Sequence, residues 1–443
     1  MNAFQMVGSL NNQQRNTFIA SFLGWTLDAF DFFLVTFVTV RVAKDFRVGL
    51  PLVLFAVTLT LMLRPVGALI FGILAERFGR RLPLMIDIIF YSIIELLTAF
   101  SPNYAVFLVL RALFGIGMGG EWGLGASLAM EALPTESRGF FSGVLQQGYA
   151  FGYLIAAIVY YFVFLLVPNP SLAWRVMFAI GVLPALLVVF IRLGVPESPV
   201  WEHQQALHRE RGVNLWQGMW NAIKSRWVLF VYVVLLMTAF NSLSHGTQDN
   251  LPTFLQAQLK LGTAATSIIT IIANIGAIIG GMIFGFYSQR WGRRRAIIIA
   301  CVLGLLMIPL WSGLVRIPGI GLLASIATGA FLLQFMVQGA WGVVPVHLNE
   351  LSPTDVRGTF PGFAYQFGNL LASFIVTLEA IVAQNLGTVK TPNYGLALAI
   401  FSACAFVAVI LFAFIGREAK GIEFTQADEE EFAPSGAVRE ALD

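Results

Sequence analysis

The sequence predicts an all-α membrane protein with twelve transmembrane helices in two pseudo-symmetric six-helix bundles. Three observations lead there. Of the 443 residues, 58% are hydrophobic and only 12% charged, more apolar surface than a soluble domain can bury. Apolar runs near the roughly 20 residues that cross a bilayer recur along the chain, separated by charged or Pro/Gly/Asn breaks. The chain also repeats itself at an offset of about 213 to 219 residues, the mark of a two-halved membrane protein.

Residues 1–16 are polar and rich in Asn and Gln. They lack the basic stretch, short apolar run and small-residue site of a cleaved leader, so this tail is expected to stay cytoplasmic. The expected spans are 17–40, 52–75, 82–100, 104–130, 140–167, 173–194, 228–256, 264–289, 295–315, 319–349, 358–386 and 393–415. Arg77, Arg80, Arg81, Arg138, Arg209, Arg211, Lys224, Arg226, Arg290, Arg293, Arg294, Arg295, Arg357, Arg417 and Lys420 fall in alternate loops or the C-terminal flank. That bias makes those loops and both termini cytoplasmic in a multi-pass protein of the inner or plasma membrane. The net charge of +3 says little beside it.

In the first bundle, residues 17–195, Asp28 and Asp31 lie three apart near one face of the first span. Two carboxylates that close do not both stay ionised cheaply, which suits proton coupling; hydrogen bonding to Arg64 or Arg111 is the structural alternative. Arg64 lies twelve residues before Glu76 at the basic end of the second span, roughly 18 Å into the membrane. A guanidinium held there suggests an anionic partner, either a substrate carboxylate gripped by two parallel hydrogen bonds or a permanent aspartate of the first span. In the fourth span Glu121 needs a partner or a proton, and Arg111 fits a structural ion pair as well as function. Gly115, Gly119 and Gly123 form a small-residue ridge for helix packing.

The repeat is read from two pairs of segments. Gly72 to Arg81 (GILAERFGRR) is echoed by Gly285 to Arg294 (GFYSQRWGRR), and Glu131 to Gly139 (EALPTESRG) by Glu350 to Gly358 (ELSPTDVRG). Gln147 finds Gln366. The acidic and basic residues Glu76, Arg77, Arg80, Glu131, Arg138, Arg290, Arg293, Glu350 and Arg357 are expected to pair across the bundles and to gate the cytoplasmic side. Gln289 stands where the first copy has an acid, so the second bundle's latch is expected to be weaker. Between the halves, residues 196–227 form a linker in which Leu215, Trp216, Met219, Trp220, Ile223 and Trp227 recur at helical spacing, as in an interfacial helix. The tail 417–443 ends in an acidic stretch, Asp428 to Glu431, without apolar period.

The second bundle, residues 228–416, opens with a polar stripe in an apolar span. Asn241, His245 and Asp249 are four apart and share one helical face, with Ser244 and Gln248 beside them. His changes charge near neutral pH, and a carboxylate one turn away tunes it and orients its ring. The segment Asn241 to Thr253, N-x-x-S-H-x-T-Q-D-x-x-P-T, resembles the signature of the Jen-type branch of the sialate:proton symporter family within the major facilitator superfamily. The Gly72 and Gly285 segments resemble that superfamily's loop signature, and Pro196-Glu197-Ser198-Pro199 resembles the end of its sixth span. The resemblance implies the major facilitator fold and proton symport of short monocarboxylates such as lactate, pyruvate or acetate. It also implies an arginine for substrate at Arg64, and a Gln366/Asn369 pair lining the path, whose alternative is helix packing.

No enzyme constellation is present. The chain has no phosphate-binding G-x-x-x-x-G-K-S/T, and His203 and His208 lack a metal-ligand partner, so no cofactor and no metal are expected. Cys301 and Cys404 both sit in apolar segments, where buried free thiols are expected. The expected function is proton-coupled uptake of a small monocarboxylate by alternating access. Arg64, Asn241, His245, Gln366 and Asn369 would bind substrate, and Asp28, Asp31, Glu121, His245 and Asp249 would carry the proton. The partners are the carboxylate, protons and the bilayer, with no nucleic acid, and the carrier would work as a monomer. The rivals are symport of a larger organic acid, such as a sialic or aromatic acid, a proton-driven exporter, and a transporter-like sensor.

Overall fold

The computed structural model describes residues 3–48, 50–211, 224–251, 254–261, 263–353, 357, 359–388 and 391–422. The interfacial segment 215–223, the acidic tail and Pro252 to Thr253 lie outside the described residues.

A short helix, α1 (Ala3–Gly8), precedes the first span, α2 (Asn12–Asp45), whose start is fixed by a reciprocal capping box between Asn11 and Gln14. Then follow α3 (Leu50–Phe78), α4 (Arg81–Ala99) and α5 (Tyr104–Ala132). The fifth span is broken into α6 (Arg138–Gln146) and α7 (Gly148–Leu166). The sixth comprises α8 (Pro170–Ile180), a 3₁₀ turn around Pro184 and α9 (Leu187–Gly194). Helix α10 (Pro199–Arg211) begins the linker.

The second bundle holds α11 (Trp227–Gln248), a π turn at Phe254–Gln258, α12 (Thr263–Trp291) and α13 (Arg293–Trp311). It continues with α14 (Leu322–Trp341), α15 (Val344–Leu351), α16 (Phe360–Ala372), α17 (Ile375–Leu386) and α18 (Tyr394–Ile415). Among the described residues eleven stretches are long and apolar enough to cross a membrane. The expected eleventh span is not one of them; it breaks at Ser373 and Phe374 into α16 and α17. The seventh ends at Gln248 rather than 256.

The repeat is legible in the packing. The most extensive helix contacts are α12 with α14 and α3 with α5, which are equivalent pairs, and the bundles meet through another such pair, α6 with α12 and α3 with α16. At the Arg-rich ends, Gly79 (φ +92) and Gly292 (φ +91) turn the chain in a conformation that L side chains rarely adopt. The turns expose helix N-termini that two carboxylates cap. Glu197 accepts from the backbone N–H groups of Arg80 (2.7 Å) and Arg81 (3.2 Å). Glu418 accepts from those of Arg293 (3.0 Å) and Arg294 (3.1 Å). Each bundle thereby ties its last span to its third.

Cys301 is buried, but Cys404 is exposed, a correction to the expected pair of buried thiols: an apolar span in lipid has an outward face that sequence alone does not locate.

Candidate functional site

A narrow, partly open cavity of about 30 Å³ lies between the bundles. Its polar lining comes from both halves: Arg64 of α3, Gln146 at the break of the fifth span, Asn241, Ser244 and His245 of α11, Gln338 of α14 and Asn369 of α16. Broken spans supply residues here, as expected where irregular backbone borders a cavity rather than lipid.

Arg64 is held by backbone contact. The α-carbon of Gly119 lies so close that a Cβ there would stand 1.9 Å from the Arg64 carbonyl oxygen. The guanidinium is almost fully buried, its Cζ 5.0 Å from the centre of the Phe32 ring, with Nη2 on the Met118 sulfur at 3.1 Å and Nε on no acceptor. Asp28 is within electrostatic reach, yet neither of its oxygens accepts a hydrogen bond among the described residues. The permanent ion pair with the first span is therefore not formed. What remains is a buried cation facing a cavity.

The stripe on α11 folds as its spacing predicts. His245 Nδ1 is 2.9 Å from Asp249 Oδ2, and Nε2 is 2.9 Å from Asn369 Oδ1. With both ring nitrogens against oxygen acceptors, the arrangement satisfies the doubly protonated ring, while a neutral ring would require the Asn369 amide to turn and donate. The Asp249 side chain keeps 42% of its exposure, so the pair reaches open space. Asn241 donates to the Tyr365 carbonyl (3.3 Å) and Gln248 to Gln334 (2.9 Å).

The other expected residues are placed as follows. Gln366 is fully buried beside the site but does not line the cavity, and neither end of its amide has a partner among the described residues. It stands about one turn before Asn369 on nearly the same face of α16, beyond the lining of the cavity. Asp28 and Asp31 do not act as an isolated pair. Asp31 lies among Glu95, Asp28 and Arg111, and Arg111 is ion-paired with Glu95 and bonded to Thr98 at 3.3 Å. Arg111 is thus engaged by α4. Glu121 is buried against Gly24, without a hydrogen-bond partner among the described residues and within electrostatic reach of Asp28. Asp87 and Glu95 of α4 join this cluster and were missed in the sequence, although an acid at membrane depth is the same signal that marked Glu121. Aromatic walls are supplied by Trp25, Phe32, Tyr149, Trp341 and Tyr365.

At the Arg-rich end Arg80 and Arg293 are ion-paired within their own bundles. Arg80 bonds Glu76 (3.0 Å) and Glu131 (3.3 Å) within the first bundle, and Arg293 holds Glu350 through two 2.9 Å bonds within the second. A buried arginine is best satisfied by carboxylates rigidly fixed to its own bundle. Hydrogen bonds cross between the bundles. Glu76 Oε1 accepts from the Thr359 backbone N–H at 3.1 Å, and Gln289 Oε1 accepts from that of Gly139 at 3.2 Å. Gln289 also donates to the Thr135 carbonyl at 2.9 Å, so loss of the acid leaves the equivalent link intact. Ser142 donates to the Gly342 carbonyl (2.8 Å), Ser127 to that of Arg357 (3.1 Å), and Arg138 to that of Ile422 (3.0 Å). Arg77 and Arg290 are exposed, stacked on Phe78 and Phe286.

No group of three or more His, Cys, Asp or Glu placed to hold a metal occurs among the described residues.

Two pseudo-symmetric six-span bundles, closed at one end over a polar cavity, define a membrane transporter rather than an enzyme. The chain belongs to the Major Facilitator Superfamily, whose model matches residues 18–377. The "Carboxylic acid transporter protein homolog" of Saccharomyces cerevisiae is 32% identical over 439 residues, covering 92% of this chain and 68% of that protein. The sialic acid transporter NanX of Escherichia coli is 25% identical over 415 residues, covering 93% and 96%. Among solved structures, the proton:xylose symporter XylE bound to 6-bromo-6-deoxy-D-glucose superposes with a TM-score of 0.77 at 20% identity, covering 95% of this chain and all of that one. A partially occluded inward-open form of XylE from E. coli gives 0.67.

Proposed function

We propose that the chain is a proton-coupled symporter that takes up a small monocarboxylate, of the lactate, pyruvate or acetate type, by alternating access. The observation that carries this reading is the convergence of Arg64 and His245 on one cavity. Arg64 is a buried cation without an anion of its own hydrogen-bonded to it, so a carboxylate gains two charge-assisted bonds there. Asn241 and Asn369 offer neutral hydrogen bonds to a hydroxyl or keto group.

The electrostatics favour coupled occupancy. A carboxylate on Arg64 and a protonated His245 beside ionised Asp249 are each near neutral, so the bundles can close over the loaded site with little net charge left in a dry interior. Substrate and proton must then strengthen each other's binding equally. By the positive-inside bias the Arg-rich end is cytoplasmic, and the hydrogen bonds gathered there belong to a state that receives substrate from outside. On this reading, breaking them releases substrate and proton inward.

The similarity to a carboxylic acid transporter homolog supports the substrate class. A larger organic acid is the second reading, favoured by the aromatic walls of the cavity. Uptake of labelled lactate into liposomes with an imposed inward proton gradient tests the proposal. Accumulation that collapses when the gradient is removed supports it; lactate that enters only with its own gradient, or not at all while a sialic or aromatic acid accumulates, overturns the monocarboxylate reading.

A further inference from the structure

On the side of His245 away from the Arg-rich end, the chain buries a carboxyl that the transport cycle above does not use. Glu379 of α17 is wholly shielded from solvent. One oxygen accepts from the Asn250 side chain at 2.9 Å, and the other accepts from no group among the described residues. That second oxygen lies against Gly246, the residue after His245, where a Cβ would stand 2.9 Å away. The elements packed on α17 are α11 and α18. From α11, Asp249 and His245 are within its electrostatic reach; the described part of α18 carries no ionisable side chain except Cys404 and Tyr394, and its Ser402 donates to the Gly246 carbonyl at 3.3 Å.

A carboxylate sealed from water with one neutral donor and no cation bonded to it is poorly stabilised as an anion. Loss of its proton is favoured when His245 is positively charged. We propose that Glu379 is a second proton site of the C-terminal bundle, outside His245, which holds a proton while His245 is neutral and yields it as His245 becomes an imidazolium. In that exchange the O–H bond of the carboxyl breaks and an N–H bond forms on the imidazole. A neutral acid and a neutral ring become a carboxylate and an imidazolium, so one proton moves inward and no net charge is created. Asn250 then gains an ionised acceptor, which ties α17 more firmly to the end of α11 as the proton arrives at the cavity.

This inference rests on His245 as a proton carrier but not on the identity of the substrate. Its test is infrared difference spectroscopy of the purified full-length carrier between acid and alkaline pH, without substrate, for the parent, Glu379→Gln, Glu379→Asp and His245→Ala. The expected result is a protonated-carboxyl band that is absent in Glu379→Gln, displaced in Glu379→Asp, and still present in His245→Ala but titrating over a different pH range. Counterflow of lactate in Glu379→Gln should stay within about twofold of the parent, because a glutamine keeps the neutral shape and the bond to Asn250. A spectrum of Glu379→Gln that superimposes on the parent's, or a Glu379 band indifferent to His245→Ala, overturns the proposal. Failure of lactate transport in every form, with the Glu379 band intact, would instead count against the substrate reading alone.

Discussion

The Nε2 of His245 lies 2.9 Å from the amide oxygen of Asn369, joining the seventh span to the first half of the broken eleventh. Since Nδ1 is engaged by Asp249, the ring is held at both ends, and a change in its protonation must be answered by one of its neighbours. Removing His245 removes the responder. The His245→Ala carrier is expected to lose accumulation driven by a pH gradient while retaining lactate counterflow. Proton uptake on lactate addition to the purified variant checks this: uptake equal to the parent's would move coupling to the Asp28, Asp87 and Glu121 cluster.

Asp249 supplies the anion that favours the imidazolium. Asp249→Asn keeps the shape and removes that charge, so the pH optimum of uptake is expected to move downward, to where His245 can still be protonated without it. A pH profile of initial uptake rates decides the matter.

Arg64→Lys keeps a positive charge but loses the planar fork. Affinity for lactate is expected to fall by about 1–3 kcal/mol, the scale of a hydrogen bond to a charged group. Titration calorimetry or competition binding measures it. Equal binding by Arg64→Lys, Arg64→Ala and the parent would remove Arg64 from the substrate site.

Gly119 fixes where Arg64 stands. A methyl group at this position meets the Arg64 carbonyl at 1.9 Å, and relief requires the two helices to separate. Gly119→Ala is expected to destabilise the first bundle by about 1–3 kcal/mol or more, the usual range for overpacking, and to weaken lactate binding as well. Thermal unfolding of the detergent-purified carrier, with and without lactate, reads both effects.

The crossing link at Glu76 separates charge from geometry. Because Gln289 makes the corresponding bond with a neutral amide, Glu76→Gln should retain the acceptor for Thr359 and shift the conformational balance little. Glu76→Ala leaves that backbone N–H unsatisfied, at a cost of about 1–3 kcal/mol, and should favour opening at the Arg-rich end. Accessibility of single cysteines placed on either side of the cavity distinguishes the two variants.

The sequence by itself determined the membrane class, the two-halved plan and the polar stripe, because bilayer thickness, helical period and a long repeat are local or periodic quantities. It put Asn241, His245 and Asp249 on one face from spacing alone, and it marked Arg64 by the high cost of a cation at that depth. Only the tertiary structure decided which charges satisfy one another. That Arg111 is taken by Glu95 while Arg64 is left to the cavity, that Asn369 rather than Gln366 meets His245, and that the eleventh span breaks to bury Glu379 against Gly246 all depend on helix rotation and contact between distant segments. Side-chain pairing in a bundle is set by how neighbouring helices are turned about their axes, and a uniformly apolar span carries almost no information about that turn.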